Sequence, residues 1–374
     1  MKYSIEIGKI VEGALKHDQL KVTNYTKQLI TKLEEDGEKI AANKFSKLLS
    51  AQINGTITPM DSSKILTIPL DGESRTALAD IVYFEDNDAN IILSKTNNER
   101  INEFVLNYKC ADKLSSAGID ISNTILLYGP PGCGKTGCAY FIAKELHLPL
   151  VIARLDSMIS SYLGTTSKNI RILFEFAQKV PCVLFLDEFD AIAKARDDTN
   201  ELGELKRVVN TLLQNVDMLN NDSILVAATN HEQLLDSAVW RRFDYKVKIE
   251  LPDTESIIKM IDLFTNSSND LSDKEKYELA IAFGGLSGAD IKEIITKALR
   301  DSILKDEKLN KIKIYDEIFI FNNIIPLNCS NDKSVLQIKT KFLRDVNKDV
   351  FSLQVIADIL GSSKTTIQRL TKVE

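Results

Sequence analysis

The spacing of apolar residues along this 374-residue chain changes character at several points. From residue 1 to about 56 it is helical. Leu20, Tyr25, Leu29, Ile30 and Leu33 recur near helical spacing, Gly37 punctuates, and Ile40, Ala41, Phe45, Leu48 and Leu49 form a second stripe. No proline interrupts the segment, and two or three short helices in an antiparallel bundle are expected. Such a bundle is either a small solvated module with no role of its own or a docking module for a partner, since short helices present grooves to other chains. Residues 57–98 differ. Pro59 and Pro69 appear beside the β-rich runs Ile65-Leu66-Thr67-Ile68 and Ile81-Val82-Tyr83-Phe84, while Asp86-Asn87-Asp88 and Thr96-Asn97-Asn98 are turn-like. This stretch is expected to be a connector with short strands and no chemistry.

Residues 99–117 then read as an amphipathic helix. Apolar runs at 124–128, 150–153, 183–186, 224–228 and 247–249 follow, separated by helical segments. Continuous apolar strands alternating with helices indicate a parallel sheet covered on both faces. Residues 99–252 should therefore form an α/β domain. From 253 to about 309 the pattern is all helical, interrupted by Gly284-Gly285 and Gly288, and 310–374 reads as a short mixed region followed by helices.

Composition narrows this picture. A content of 44% hydrophobic and 27% charged residues suits a globular chain with a sizeable core. The net charge of −6 argues against a nucleic-acid-coating protein but leaves room for a local basic region. Cys110, Cys133, Cys138, Cys182 and Cys329 form no C-x-x-C pair, which suits a reducing compartment and offers no zinc site. Lys2, Glu6, Lys9 and Glu12 leave no room for a signal-peptide core in the first residues. No apolar run approaches the roughly 18–20 residues of a membrane span. A cytoplasmic location without a membrane partner is expected.

The chemistry concentrates at Gly129-Pro130-Pro131-Gly132-Cys133-Gly134-Lys135-Thr136. This glycine-rich turn follows the strand-like run Thr124-Ile125-Leu126-Leu127-Tyr128 and precedes a helix beginning near Gly137, the context a phosphate-binding loop requires. Glycines let successive backbone N–H groups converge on a triphosphate, and the helix N-terminus adds its positive dipole end. Lys135 would reach the β and γ phosphates, and the Thr136 hydroxyl would hold Mg²⁺. At the end of the third strand, Asp187 would orient Mg²⁺ and Glu188 would act as general base on the attacking water. Asn230, after the fourth strand, supplies an amide for that water. Arg241 and Arg242 are either a solvated pair or arginine fingers directed at a neighbouring subunit's γ-phosphate.

Together these pieces resemble the AAA+ ATPase superfamily, specifically its protein-remodelling AAA clade, over residues 100–305. Gly129 to Thr136 corresponds to Walker A, Phe185-Leu186-Asp187-Glu188 to Walker B, Ala228-Thr229-Asn230 to sensor 1, and Arg241-Arg242-Phe243-Asp244 to a shortened arginine-finger segment. The resemblance makes 99–252 the large ATP-binding subdomain and 253–309 a helical lid, with Gly288-Ala289-Asp290 at the nucleotide and Asp120-Ile121 packing against adenine. It makes Tyr162, Leu163 and Gly164 a pore loop that grips an extended polypeptide, and places a second pore loop at 196–203. It further implies a ring, usually a hexamer, with ATP and Mg²⁺ as cofactors.

The tail has its own signal. Ala357, Gly361 and Ile367 fall where a helix-turn-helix needs a small residue, a turn glycine and a seated apolar side chain. Lys364, Thr365, Thr366, Gln368 and Arg369 would lie on the exposed face of its second helix. Residues 310–374 are thus either a helical cap for the ring or a DNA-binding region. The leading expectation is an ATP-driven remodeller of protein clients; the alternative is an ATP-controlled DNA-binding switch. The overall layout also looks like small bacterial ATPases encoded beside subtilisin-like proteases in antiviral, phage-defence modules, which implies a protease as partner effector. His17, His147 and His231 lack a nucleophile setting of their own.

Overall fold

The computed structural model describes residues 3–15, 19–53, 68–71, 75–83, 91–155, 163–191, 202–219, 223–235, 237–265, 271–324 and 332–371. They fall into two compact units, one of 1–91, 97–129 and 135–248, the other of 92–96, 130–134 and 249–374.

The first unit opens with α1 (Ser4–Leu15), α2 (Gln19–Glu35) and α3 (Lys39–Ile53). Leu29, Leu33 and Ala42 form their small core, packed by Tyr3, Ile7 and Phe45. Charge also crosses the helices. Glu6, almost fully buried, takes the ammonium of Lys32 at 2.6 Å, and buried Lys21 pairs with Glu12 at 2.9 Å. Truncating one partner of such a pair strands a buried charge, so these contacts fix how the helices face one another.

There follow β1 (Ala79–Val82), α4 (Lys95–Lys109), α5 (Ala111–Ser116), β2 (Thr124–Tyr128), α6 (Lys135–Glu145), β3 (Leu150–Ala153), α7 (Leu163–Lys179), β4 (Val183–Leu186), α8 (Leu202–Asp217), β5 (Ile224–Thr229), the single turn α9 (Ser237–Trp240) and β6 (Tyr245–Lys248). The strands form one six-stranded sheet in the order β1-β3-β4-β5-β2-β6. Every pairing is parallel except that of β1 with β3. β4 and β5 are buried at every position, which is why they read as unbroken apolar runs.

The strand expected in the connector finds its partner, and two details depart from the sequence expectation. The connector at 57–98 contributes β1, an antiparallel edge strand whose Asp80 holds Arg154 through two bonds of 2.7 and 2.6 Å. Only Ala79 in that strand is fully buried, so its partner could not be read from a local pattern. The helix expected at 99–117 begins at Lys95 and breaks at Cys110, whose φ of −96° and ψ of 13° leave the helical region. The last strand starts at Tyr245 rather than 247, because Tyr245 pairs with Ile125 and sets its ring edge-on to Phe104 at 5.4 Å.

The second unit contains α10 (Thr254–Phe264), α11 (Asp273–Ala282), α12 (Gly288–Leu304), α13 (Lys311–Phe321), α14 (Asp332–Val346), α15 (Leu353–Ile359) and α16 (Lys364–Thr371). Side chains mark the helix starts. Asp253 accepts from Ser256 N, and Ser272/Glu275 and Ser287/Asp290 form reciprocal capping boxes. The mixed region expected after 310 is the helix α13. Nor do 253–309 and 310–374 pack separately: α13 buries Ile314, Tyr315, Ile318 and Phe319 in a core shared with α10–α12 on one hand and Leu343, Phe351 and Ile356 on the other. Tyr315 stands edge-on to Phe351 at 6.3 Å, and Phe319 to Phe342 at 6.0 Å. Among the described residues no helix is long and apolar enough to cross a membrane.

Because Phe351 is fully buried in that shared core, Phe351→Ala should remove about 3–5 kcal/mol from the unfolding free energy of the second unit. Denaturant titration should show α10–α13 and α14–α16 losing protection together; independent loss of the last three helices would contradict a common core.

Candidate functional site

β2 ends at Tyr128 and α6 begins at Lys135, so the glycine-rich loop occupies the six residues between them. Gly132 has a φ of +73°, which a side chain would strain. The space around it is as restrictive. A Cβ on Gly132 would lie 2.5 Å from Ser287 Oγ and 3.1 Å from Ala289 Cβ, and Ala289 N donates to Gly132 O at 3.1 Å. Gly132, Gly288 and Ala289 all belong to the second unit. The start of α12 and the tip of the loop are therefore brought together. Pro130 and Pro131 are exposed, and buried Cys133 lies with its Sγ 3.7 Å from Pro131 O.

In the first turn of α6, Lys135 is buried and its Nζ donates to Gly129 O at 2.8 Å, so the ammonium lies folded over the loop's own first carbonyl. Thr136 is exposed and its Oγ1 donates to Asp187 Oδ2 at 3.0 Å. This contact joins the loop helix to the end of β4. A hydroxyl and a carboxylate are the oxygen donors that Mg²⁺ takes, alongside waters and substrate phosphates. No group of three or more His, Cys, Asp or Glu side chains gathers for a metal among the described residues, so the chain offers this pair rather than a closed cage. Gly137, one residue on, has Ile91 Cδ1 3.0 Å from where its Cβ would stand. Ile91 was not singled out in the sequence, where it sat in the connector; proximity to a glycine in the first turn is what marks it.

Asp187 Oδ1 also accepts the backbone N–H of Glu188 at 2.9 Å. Glu188 takes a left-handed φ of +49° and exposes its carboxylate. Such a backbone costs a non-glycine residue about 1–3 kcal/mol and is typical of functional positions. Phe189 N donates to Ala228 O at 2.8 Å, which locks the ends of β4 and β5 together. Thr229 Oγ1 donates to buried Asp190 at 3.0 Å and accepts His231 N at 3.0 Å, so the turn carrying half-buried Asn230 is fixed on both sides. Behind the loop, burial pushes the Cys138 thiol up to about 12 in spite of the neighbouring Lys135 charge. It is an inert packing residue.

The arginines stand elsewhere. Thr124 Oγ1, at the start of β2, accepts Asp244 N at 2.9 Å and lies 3.2 Å from Arg242 O. Trp240 packs edge-on to Tyr128 at 5.0 Å, and Phe243 to Phe189 at 5.9 Å. Arg242 is held by Asp217 through two bonds of 3.0 and 3.1 Å, and by Ala238 O at 3.1 Å. Arg241 is exposed and makes no side-chain hydrogen bond or ion pair among the described residues. The two neighbours thus have different employment.

Exposed Asp120 and buried Ile121, assigned to adenine by resemblance alone, precede the N-terminal end of β2, whereas the phosphate loop leaves its C-terminal end. Tyr162 lies outside the described residues, as does 196–201 of the second pore loop. Leu163 and Gly164 open α7, and Leu202 and Gly203 open α8.

Comparison with known proteins agrees with this geometry. Residues 125–251 match the family described as "ATPase family associated with various cellular activities (AAA)". An uncharacterized AAA family ATPase of Sinorhizobium fredii is 37% identical over 282 residues, covering 75% of this chain and 84% of that one. A proteasome-activating nucleotidase of Methanopyrus kandleri is 35% identical over 199 residues, 51% of this chain; the chain spans 46% of that relative's length. Among solved structures, the FIGL-1 AAA domain superposes with a TM-score of 0.55 at 23% identity, over 71% of this chain and 92% of its own, which is a likeness of fold. Identity at the level of the Sinorhizobium protein, sustained across most of both sequences, places this chain in the AAA family: it is an ATPase, and ATP is what its phosphate loop binds.

Proposed function

We propose that this ATPase works as a closed ring, most simply a hexamer, that converts ATP hydrolysis into pulling on a polypeptide. The observation that carries the shared-site part is the polarity of β2. The carbonyl of Arg242 is held by Thr124, the first residue of that strand, and Gly129 follows its last. Five residues at about 3.3 Å each put some 16 Å between those points. No arginine side chain spans that, so the pair serves a phosphate other than its own. Head-to-tail contacts that close into a ring supply one to each subunit.

Within the site, Lys135 leaves Gly129 O for the β and γ phosphates. Thr136 and Asp187 would hold Mg²⁺, which neutralises phosphate charge as the γ-phosphoryl group is transferred. Glu188 takes a proton from water as the water's oxygen bonds to the γ-phosphorus, and ADP leaves with the electrons of the broken P–O bond. Asn230 orients that water. Arg241, exposed and unengaged, is the finger; Arg242, tied to α8 through Asp217, sets where that finger points.

The polypeptide part rests on Tyr162-Leu163-Gly164 leading into α7 and on similarity to a proteasome-activating nucleotidase. An aromatic ring offers contact area to any passing chain with few rotors to immobilise. The helical bundle of α1–α3 suits docking of a client or a partner effector, a subtilisin-like protease being the candidate that the chain's layout favours. The setting is cytoplasmic.

Four variants test these assignments. Glu188→Gln should keep ATP binding while turnover falls by about 10²–10⁴-fold; near-normal turnover would remove Glu188 from the role of base. Arg241→Ala should lower turnover by about 10³-fold or more with binding intact, and mixing it with Lys135→Ala subunits should restore part of the activity. Arg242→Ala should instead lower the melting temperature as well as turnover. Full hydrolysis by a dilute monomer would exclude the shared site. Finally, Tyr162→Ala should preserve ATP binding, assembly and basal hydrolysis but abolish unfolding of a tagged client, both measured on one preparation. Normal unfolding by that variant would exclude threading.

A further inference from the structure

At the end of the second unit α15 packs on α16 and α16 on α14, with Ile356, Ala357, Ile359 and Ile367 buried. Residues 360–363 join the two helices. Gly361 turns the chain at φ +57°, Ser362 N donates to Ala357 O at 2.9 Å, and Ser363 Oγ accepts Thr366 N at 3.1 Å to start α16. A short glycine turn between two crossing helices, the second seated by one apolar residue, is a helix-turn-helix. Thr366, expected on the outer face, is half-buried in this turn.

What α16 leaves outside decides what it can meet. Lys364, Thr365, Gln368 and Arg369 are exposed, while Ile367 is buried and Leu370 half-buried. At 3.6 residues per turn those four side chains share an arc of about 140°. No acidic or apolar residue interrupts it, and α16 contains no acid at all. We infer that α16 enters the major groove of duplex DNA, with Gln368 and Arg369 at base edges and Lys364 and Thr365 on phosphates.

The alternatives fit less well. A protein interface needs an aromatic or aliphatic anchor at its centre, and this arc has none. Gln and Arg are the side chains that make bidentate bonds to adenine and guanine in the major groove. The major groove of A-form RNA is too narrow to admit a helix. Local charge is favourable, with seven basic and four acidic residues in 332–371 of a chain whose net charge is −6. Not all of that charge is available. Lys339 is held by Asp316, and Arg344 donates to the carbonyls of Lys348 and Phe351. Of the acids, Asp358 on α15 accepts from Gln354 at 3.0 Å. A single copy therefore has few phosphate contacts and binds weakly.

The test uses the full chain and fluorescence anisotropy with duplex DNA, duplex RNA and an unstructured polypeptide. Duplex DNA should bind, and its affinity should fall with salt at a log–log slope of about −2, for two cationic contacts per copy. Lys364→Ala/Arg369→Ala should weaken it by about tenfold or more, with ATP turnover and thermal melting unchanged. Gln368→Ala should alter which sequences are enriched from a random duplex pool. Absence of duplex binding at about 50 mM salt, a double variant that binds like the parent, or preference for duplex RNA or the polypeptide would each overturn the inference.

Discussion

A parallel strand has unlike ends, and the chemistry of this chain hangs on the two ends of β2. One end delivers the phosphate loop, because the turn from strand to helix directs successive N–H groups and a helix dipole at the same point. The other end holds the arginine segment, through Thr124, Asp244 and the pairing of β6 beside it. A five-residue strand, buried at its first four positions, cannot bend to bring these together. Isolation of the arginines from their own loop is therefore a property of the sheet and not of any loop conformation.

The rest of the large subdomain supplies stiffness to that arrangement. β5 lies beside the loop strand and β4 beside β5, both as fully buried runs, and the bond from Phe189 N to Ala228 O keeps their ends in register. On that floor the chain tolerates a costly conformation at Glu188 and leaves its carboxylate in water. Asp187 makes two contacts, with Thr136 Oγ1 and with Glu188 N, so the residue that links loop to strand also sets the geometry of its neighbour. Loss of Asp187 would disturb both at once.

Much of this was legible in the sequence, for physical reasons that also explain what was not. A phosphate loop is a local backbone requirement, so its glycines, lysine and threonine declare themselves. Strands buried on both faces leave unbroken apolar runs. β1 showed only as the β-rich run from Ile81, and one fully buried alanine does not name a partner seventy residues away. The early start at Tyr245 depends on tertiary contacts with Phe104 and Ile125. The unequal bonding of Arg241 and Arg242 rests on Asp217, on a different helix. For Asp120 and Ile121 the sequence offered only a likeness, without a spacing or a charge to check it. The division at residue 309 failed on α13, whose two apolar flanks look in sequence like those of any buried helix.

That undivided core changes what the C-terminal helices are. Gly132 touches Ser287 and Ala289 at the head of α12, and α12 packs on α13, which in turn packs on Phe342 and Phe351. A close-packed interior transmits displacement instead of absorbing it. The last helices and α10–α12 thus form one packed body that reaches Gly132 at the tip of the glycine-rich loop. A displacement at the far end of the chain is carried to α12, with no domain boundary between them to absorb it.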